Sequence, residues 1–253
     1  MEVADLCIIG AGYAGINVLN AAYPHLPQGA RVVVVDRGGR FGGQWQDQYD
    51  YVRLHQPFST FTAHDREWAI GSTKPEGHLA SKTEILSHFD DIAAACAAER
   101  ADIELVTLFS FQYDGHTIED GRVSLTVAPT ATAAASGAAP VSIVATHLFR
   151  AEGFDVTIKT PFALSAPCTA AGSGARVHSL CPADVLTAHW NALMRYSSPD
   201  APIYVIGSGK TAMDVIYHLC KREKRAAGRV HCVSGRGTWC VRAAHRSPRC
   251  TTI

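Results

Sequence analysis

The sequence predicts an α/β protein built on a doubly wound parallel sheet, with a small β-meander and the opening of a second unit of the same kind. Two observations carry this. First, the apolar run Leu6-Cys7-Ile8-Ile9 passes directly into a glycine-rich turn and then a helical stretch, and the same order recurs at Ile203-Tyr204-Val205-Ile206. Second, each pair is followed by another β-branched run, Arg31–Val35 and Arg229–Val233.

Composition narrows the class. The 253 residues carry 23 Lys+Arg against 23 Asp+Glu, which excludes a strongly basic nucleic-acid binder and an acidic tail protein. Hydrophobic residues are 47% and charged residues 18%, the balance of a folded chain and not a disordered one. No apolar run approaches the roughly 18–20 residues that span a membrane. The eight cysteines form no Cys-x-x-Cys, so free thiols in a reducing, cytoplasmic compartment are expected. Met1–Asp5 leads straight into the first strand, so no charged signal or transit leader is expected.

The first turn is Gly10-Ala11-Gly12-Tyr13-Ala14-Gly15, the G-x-G-x-x-G pattern between strand and helix. Gly10 permits the tight turn, Gly12 lets a pyrophosphate approach the backbone, and Gly15 lets the helix pack close to the strand. The helix N-terminus, through Tyr13 and Ala14, offers free N–H groups and a positive dipole end. Asp36 closes the second strand 21 residues after Gly15, where a carboxylate accepts ribose hydroxyls. Arg37-Gly38-Gly39-Arg40-Phe41-Gly42-Gly43-Gln44-Trp45 follows, dense enough in glycine to lie against a flat ligand. Arg37, Gly43, Gln44 and Trp45 join the candidate cofactor set, although Trp45 could equally plug the core. His55 and Gln56 place polar groups beside an apolar run; taken alone they read as ordinary polar residues.

The second turn is Gly207-Ser208-Gly209-Lys210-Thr211-Ala212, or G-x-G-x-x-A, with a helix expected through about Cys220. Its second strand ends at Ser234, 22 residues after Ala212, and Ser234-Gly235-Arg236 replaces the carboxylate. An acid suits a free 2′-hydroxyl and an arginine accommodates a 2′-phosphate. The first site therefore suits FAD or NAD and the second NADP, with Gly207, Ser208, Gly209, Lys210, Thr211 and Arg236 as contacts. A surface role for Arg236 is the alternative. The spacing is not that of a P-loop. The division expected is a Rossmann-like FAD-binding domain over 1–200 and an incomplete NADP-binding domain over 201–253.

Between the turns, Ser81-Lys82-Thr83-Glu84 reads as a capping box, with Ile85, Phe89, Ile92 and Cys96 as the buried stripe of its helix. Residues 103–127 alternate as a β-meander around the turn signal Asp114-Gly115. Ala128–Pro140 and Ala163–Ala175 read as loops. No metal site is expected: Cys232, Cys240, His245 and Cys250 match no common zinc spacing.

The two turns, with Gly42-Gly43-Gln44-Trp45, Leu54-His55-Gln56-Pro57, Leu79–Leu86, Gly207–Asp214 and Arg236 with Trp239 and Arg242, resemble the flavin-containing monooxygenases among the two-dinucleotide-binding flavoproteins. The resemblance implies that FAD lies along the first turn and NADPH binds at the second and gives hydride to the flavin. Oxygen is then taken up as a C4a-hydroperoxyflavin, which transfers one atom to a small nucleophilic or ketone substrate. It also implies that His55 and Gln56, where relatives often have Asn, approach the flavin ring. The chain departs from the family's Phe-x-Gly-x-x-x-His stretch, keeping only Gly174 and His178. The 47 residues from Gly207 onward hold one β-α-β unit, short of the ~100 residues of a full domain, so a truncated form is expected. Two other readings stay open: a flavin oxidoreductase without oxygen insertion, and a non-catalytic nucleotide-binding remnant.

Overall fold

Apolar β-branched runs become strands and apolar stripes become helices in a computed structural model that describes residues 1–63, 65–154, 160–165, 177–198, 200–222 and 229–235. The chain divides into two compact units, Met1–Gln48 with Gln56–Thr157, and Tyr49–His55 with Ile158–Ile253.

In the first unit, β1 (Glu2–Ile9), α1 (Tyr13–Ala22), β2 (Arg31–Asp36), α2 (Lys82–Glu99) and β3 (Glu104–Phe109) follow in order. Then come β4 (Phe111–Glu119), β5 (Arg122–Pro129), the short α3 (Ala131–Ala135) and β6 (Val141–Arg150). All six strands form one sheet in the order β3-β2-β1-β6-β5-β4. β3, β2, β1 and β6 run parallel, and β5 and β4 extend the sheet antiparallel. The chain thus crosses from β1 to β2 on one side, while β6 lies on the other. The carboxyl ends of β1 and β6 therefore bound a crevice at a switch in strand order, the place where open α/β sheets take ligands.

Alternation assigns the two faces. Ile8, Val32 and Val34 are at most 1% exposed and point to the side opposite Cys7, Ile9, Val33 and Val35. The second set clusters with Val123, Leu125 and Val127 of β5 and Ile143 and Ala145 of β6, so the antiparallel strands curl over that face. Each such aliphatic side chain contributes roughly 1.5–3 kcal/mol by leaving water. The α2 capping box forms as expected: the Glu84 N–H donates to Ser81 Oγ and the Ser81 N–H donates to Glu84 Oε2. Ile85, Phe89, Ile92 and Cys96 are buried along its inner stripe.

Three sequence expectations change. Asp114-Gly115 lies inside β4, at a register irregularity between Tyr113 and His116. The hairpin turn is instead Asp120-Gly121, at φ 50° and 73°, whose twist matches the flanking strands. Ala128–Pro140 holds the end of β5 and α3. β6 was not expected and is a central strand. Residues 166–175 of the second expected loop lie outside the described residues, as do Arg236, Trp239, Arg242 and the tail from 245.

The second unit holds α4 (Ala188–Tyr196), β7 (Ile203–Ile206), α5 (Lys210–Tyr217) and β8 (Val230–Val233), with β7 and β8 parallel. α5 stops at Tyr217, before the expected Cys220, and continues as one wider π-type turn, His218–Arg222. Val185, Trp190, Val205, Ala212, Val215 and Leu219 make its core, with Tyr51 packed against them.

Candidate functional site

The first turn is held by contacts that leave no room for side chains. The Gly10 N–H donates to Val35 O at 2.7 Å, tying the turn to the end of β2. A Cβ on Gly15 would stand 1.8 Å from Gly10 O, so only glycine lets α1 start this close to β1. A Cβ on Gly10 would stand 2.3 Å from Ala151 O, directly after β6. The Ala151 N–H in turn donates to Ile9 O at 2.7 Å. Ala151 therefore forms one wall of the crevice. The sequence reading overlooked it, and the only signal was a small residue and Gly153 closing an alternating run.

The Gly42-Gly43 pair forms the other wall. The Gly42 N–H donates to Ala11 O at 2.8 Å, and a Cβ on Gly43 would lie 2.6 Å from Gly12 Cα. The chain thus lies backbone to backbone here, with Leu86 of α2 packed behind Gly42. Asp36 does not stand free at the strand end. Its Oδ2 accepts from the Ala11 N–H and its Oδ1 from the Gly38 N–H, each at 2.6 Å. A carboxylate offers about four lone-pair sites, so each oxygen can still accept a hydroxyl. Tyr13 stacks on Phe61 at 4.3 Å between ring centres and donates from its hydroxyl to Thr62 O at 2.8 Å; Trp45 meets the same Phe61 edge-on at 5.8 Å. Trp45 is half-buried, while Ala14, Arg37 and Gln44 are exposed.

The second turn repeats the local pattern. The Gly207 N–H donates to Val233 O at 2.8 Å, as Gly10 does to Val35. Among the described residues its surroundings are more open: the nearest atom to a Cβ on Gly207 would be Ala212 Cβ at 3.9 Å, and a Cβ on Gly209 would meet nothing within 4 Å. Ser208 and Thr211 are half-buried and Lys210 is exposed. The Lys210 ammonium pairs with Asp214 Oδ2, and the Tyr49 hydroxyl donates to the same oxygen at 2.6 Å. Burial, reinforced by the Asp214 carboxylate, pushes the Tyr49 hydroxyl well above its ordinary pKa. Neither Tyr49 nor Asp214 was singled out from sequence.

Four helices have eight or more residues among those described. α2 and α4 begin with side-chain caps, Ser81 and Thr187. α1 and α5, the two that follow the glycine turns, begin at Gly12 and Gly209 with no side-chain cap and no acidic residue in the first turn. Their leading N–H groups receive no side-chain cap at the positive ends of the helix dipoles, which suits an anion. His55 is exposed and Gln56 half-buried, and neither side chain has a hydrogen-bond partner among the described residues. No cluster of metal-ligating side chains occurs among the described residues, and no helix there is long and apolar enough to cross a membrane.

No known protein-family profile matches the chain. An uncharacterized protein of Mycobacterium tuberculosis is 33% identical over 94 residues, which is 35% of this chain and 17% of that protein; its counterpart in Mycobacterium bovis matches equally. Among solved structures, a flavin monooxygenase from Stenotrophomonas maltophilia superposes with a TM-score of 0.56 at 15% identity, over 95% of this chain and 60% of that one. An NADP+-bound cyclohexanone monooxygenase from Rhodococcus gives 0.52 at 17% identity, over 92% and 38%. The bacillithiol disulfide reductase of Staphylococcus aureus gives 0.56 at 13% identity, over 94% and 59%. The chain thus spans less than two thirds of each of these relatives. Its fold is the one shared by the flavin monooxygenases and related FAD/NAD(P) oxidoreductases.

Proposed function

We propose that this chain is a flavin-dependent, NADPH-using oxidoreductase of the monooxygenase-like kind, acting on a small nucleophilic or ketone substrate with O₂. The observation that carries the reading is the pairing of glycine turns with uncapped helices at Gly12 and Gly209, where the two other long helices among the described residues are capped. The fold shared with FAD/NAD(P) oxidoreductases supports it.

The residues of the first turn fit an adenine dinucleotide. Gly12 presents bare backbone to a diphosphate, with Gly43 Cα 3.4 Å from where a Cβ on it would stand, and Asp36 keeps acceptor capacity for a ribose. FAD bound there would supply hydride acceptance and oxygen activation. The protein's part is to bind the diphosphate on the Tyr13–Gly15 amides, orient the ribose on Asp36, and close the crevice with Gly42-Gly43 and Ala151. Arg37, Gln44 and Trp45 flank this site, and His55 and Gln56 are the residues proposed to face the ring. Residues 1–200 would form the flavin domain. Residues 201–253 would hold NADPH through Gly207, Ser208, Gly209, Lys210 and Thr211, with Arg236 on the 2′-phosphate.

The similarity to a disulfide reductase supports a second reading, a flavin oxidoreductase without oxygen insertion. The purified protein is expected to show flavin absorption that NADPH bleaches, and Arg236→Ala is expected to weaken NADPH binding far more than NADH binding. A colourless protein that takes up no added FAD would overturn the flavin reading. Equal losses for the two nucleotides would remove Arg236 from its role. Stoichiometric peroxide without oxygenated product would select the second reading.

A further inference from the structure

Lys210 is the first residue of α5, directly after Gly209. From there its ammonium can reach a ligand at the turn or fold back one helical turn onto Asp214, and the structure holds it on Asp214. That choice is not dictated by the helix itself. A cation at the N-terminus opposes the dipole, and a lysine preceding its acid by four residues is the weaker orientation of such a pair. Asp214 supplies the hold. Its side chain is only 17% exposed, against 37% for Lys210. The oxygen that takes Lys210 is also the oxygen that accepts the Tyr49 hydroxyl. Lysine and tyrosine therefore share one carboxylate oxygen, and a stronger claim by either weakens the other.

We infer that Asp214 is a positioning residue that sets how much of the Lys210 charge reaches a nucleotide diphosphate at the second turn, and that the Tyr49 hydroxyl tunes this by drawing on the same oxygen. The inference rests on the nucleotide reading of that turn and names a regulator within it. An incoming diphosphate competes with Asp214 for Lys210. Removing the Asp214 charge frees the lysine and tightens binding. Removing the Tyr49 hydroxyl leaves more of the carboxylate to the lysine and weakens binding. The two neighbours thus act with opposite signs, which a general loss of structure cannot imitate.

The test is NADPH and NADH affinity, by nucleotide fluorescence on the full chain, for wild type, Asp214→Asn, Tyr49→Phe, Lys210→Ala and the Lys210→Ala/Asp214→Asn double variant. A partly exposed ion pair of this kind predicts binding about two- to fivefold tighter in Asp214→Asn and about twofold weaker in Tyr49→Phe. Both effects should be equal for the two nucleotides, because the diphosphate is common to them. The gain should shrink with added salt and vanish in the double variant. Unchanged or weaker binding by Asp214→Asn, tighter binding by Tyr49→Phe, or a gain that survives loss of Lys210 would overturn the inference while leaving the nucleotide reading intact. Failure of wild type to bind either nucleotide would overturn both.

Discussion

The two glycine turns share a local geometry and differ in their surroundings. In each, the first glycine donates to a carbonyl near the end of the neighbouring strand, Val35 or Val233, and an uncapped helix follows. The first turn, however, is closed by backbone on three sides, from Gly15, Gly43 and Ala151, and its strand-end carboxylate gathers two amides. The second has Ala212 where the first has Gly15, no atom within 4 Å of a Cβ on Gly209 among the described residues, and Ser234 at the strand end. The motif therefore specifies a turn, and its neighbours decide how tightly the turn is enclosed.

The sharpest way to break this contrast is one glycine substitution in each turn. Gly15→Ala forces a Cβ to within 1.8 Å of Gly10 O and is expected to destabilise by about 3 kcal/mol or more in thermal unfolding, overriding the better helix propensity of alanine. The second turn already carries alanine at that place, Ala212, and at its Gly209 a Cβ meets nothing within 4 Å among the described residues, so Gly209→Ala should stay within about 0.5 kcal/mol. Comparable losses at both positions would mean that the two turns are equally closed.

Acid probes the helix behind the first turn. His88 of α2 is 3% exposed, stacks on Trp68 at 4.0 Å, and has no hydrogen-bond partner for either ring nitrogen among the described residues. Burial pushes it down from 6.5 to about 4. The unfolded chain thus binds a proton that the folded chain refuses. Stability is intact above pH 6.5, falls as pH drops towards about 4, and levels off below. The loss attributable to His88 is on the order of 3 kcal/mol across that window. His88→Leu should flatten this part of the profile, and an unchanged slope would locate the acid sensitivity elsewhere.

The strand ends provide a smaller contrast. Asp36→Ala leaves the Ala11 and Gly38 amides without their acceptor and is expected to cost about 1–3 kcal/mol, together with the flavin affinity proposed for that turn. Ser234→Ala, at an exposed position, should change stability by less than about 0.5 kcal/mol. Chemical denaturation of both variants measures the difference.

The sequence revealed the turns, β1, β2, β7, β8 and the α2 capping box, because each depends on neighbours within a few residues. β6 escaped because its polar half, Thr146-His147, interrupts the apolar run expected of a central strand. Only the pairing of Cys7 with Leu148 and Ile9 with Arg150 shows that it belongs beside β1. The meander turn was misplaced because two Asp-Gly pairs compete. Burial of Val123, Leu125 and Val127 on one face selects the second pair, and that face exists only once the sheet has formed. At the site, Gly10, Gly12, Gly15 and Asp36 were legible from spacing. Ala151, Tyr49 and Asp214 were not, because their partners are far away in the chain: Tyr49 and Asp214 are 165 positions apart.

The bare starts of α1 and α5 have a consequence for how long the protein survives. A serine or threonine cap typically adds about 1 kcal/mol to a helix, and neither helix has one. An anion seated on those amides would take the place of the missing cap, and its contribution would grow with its free concentration. Resistance to heat and proteases would then vary with the supply of dinucleotide around the molecule, so that ligand-starved chains are the first to be cleared.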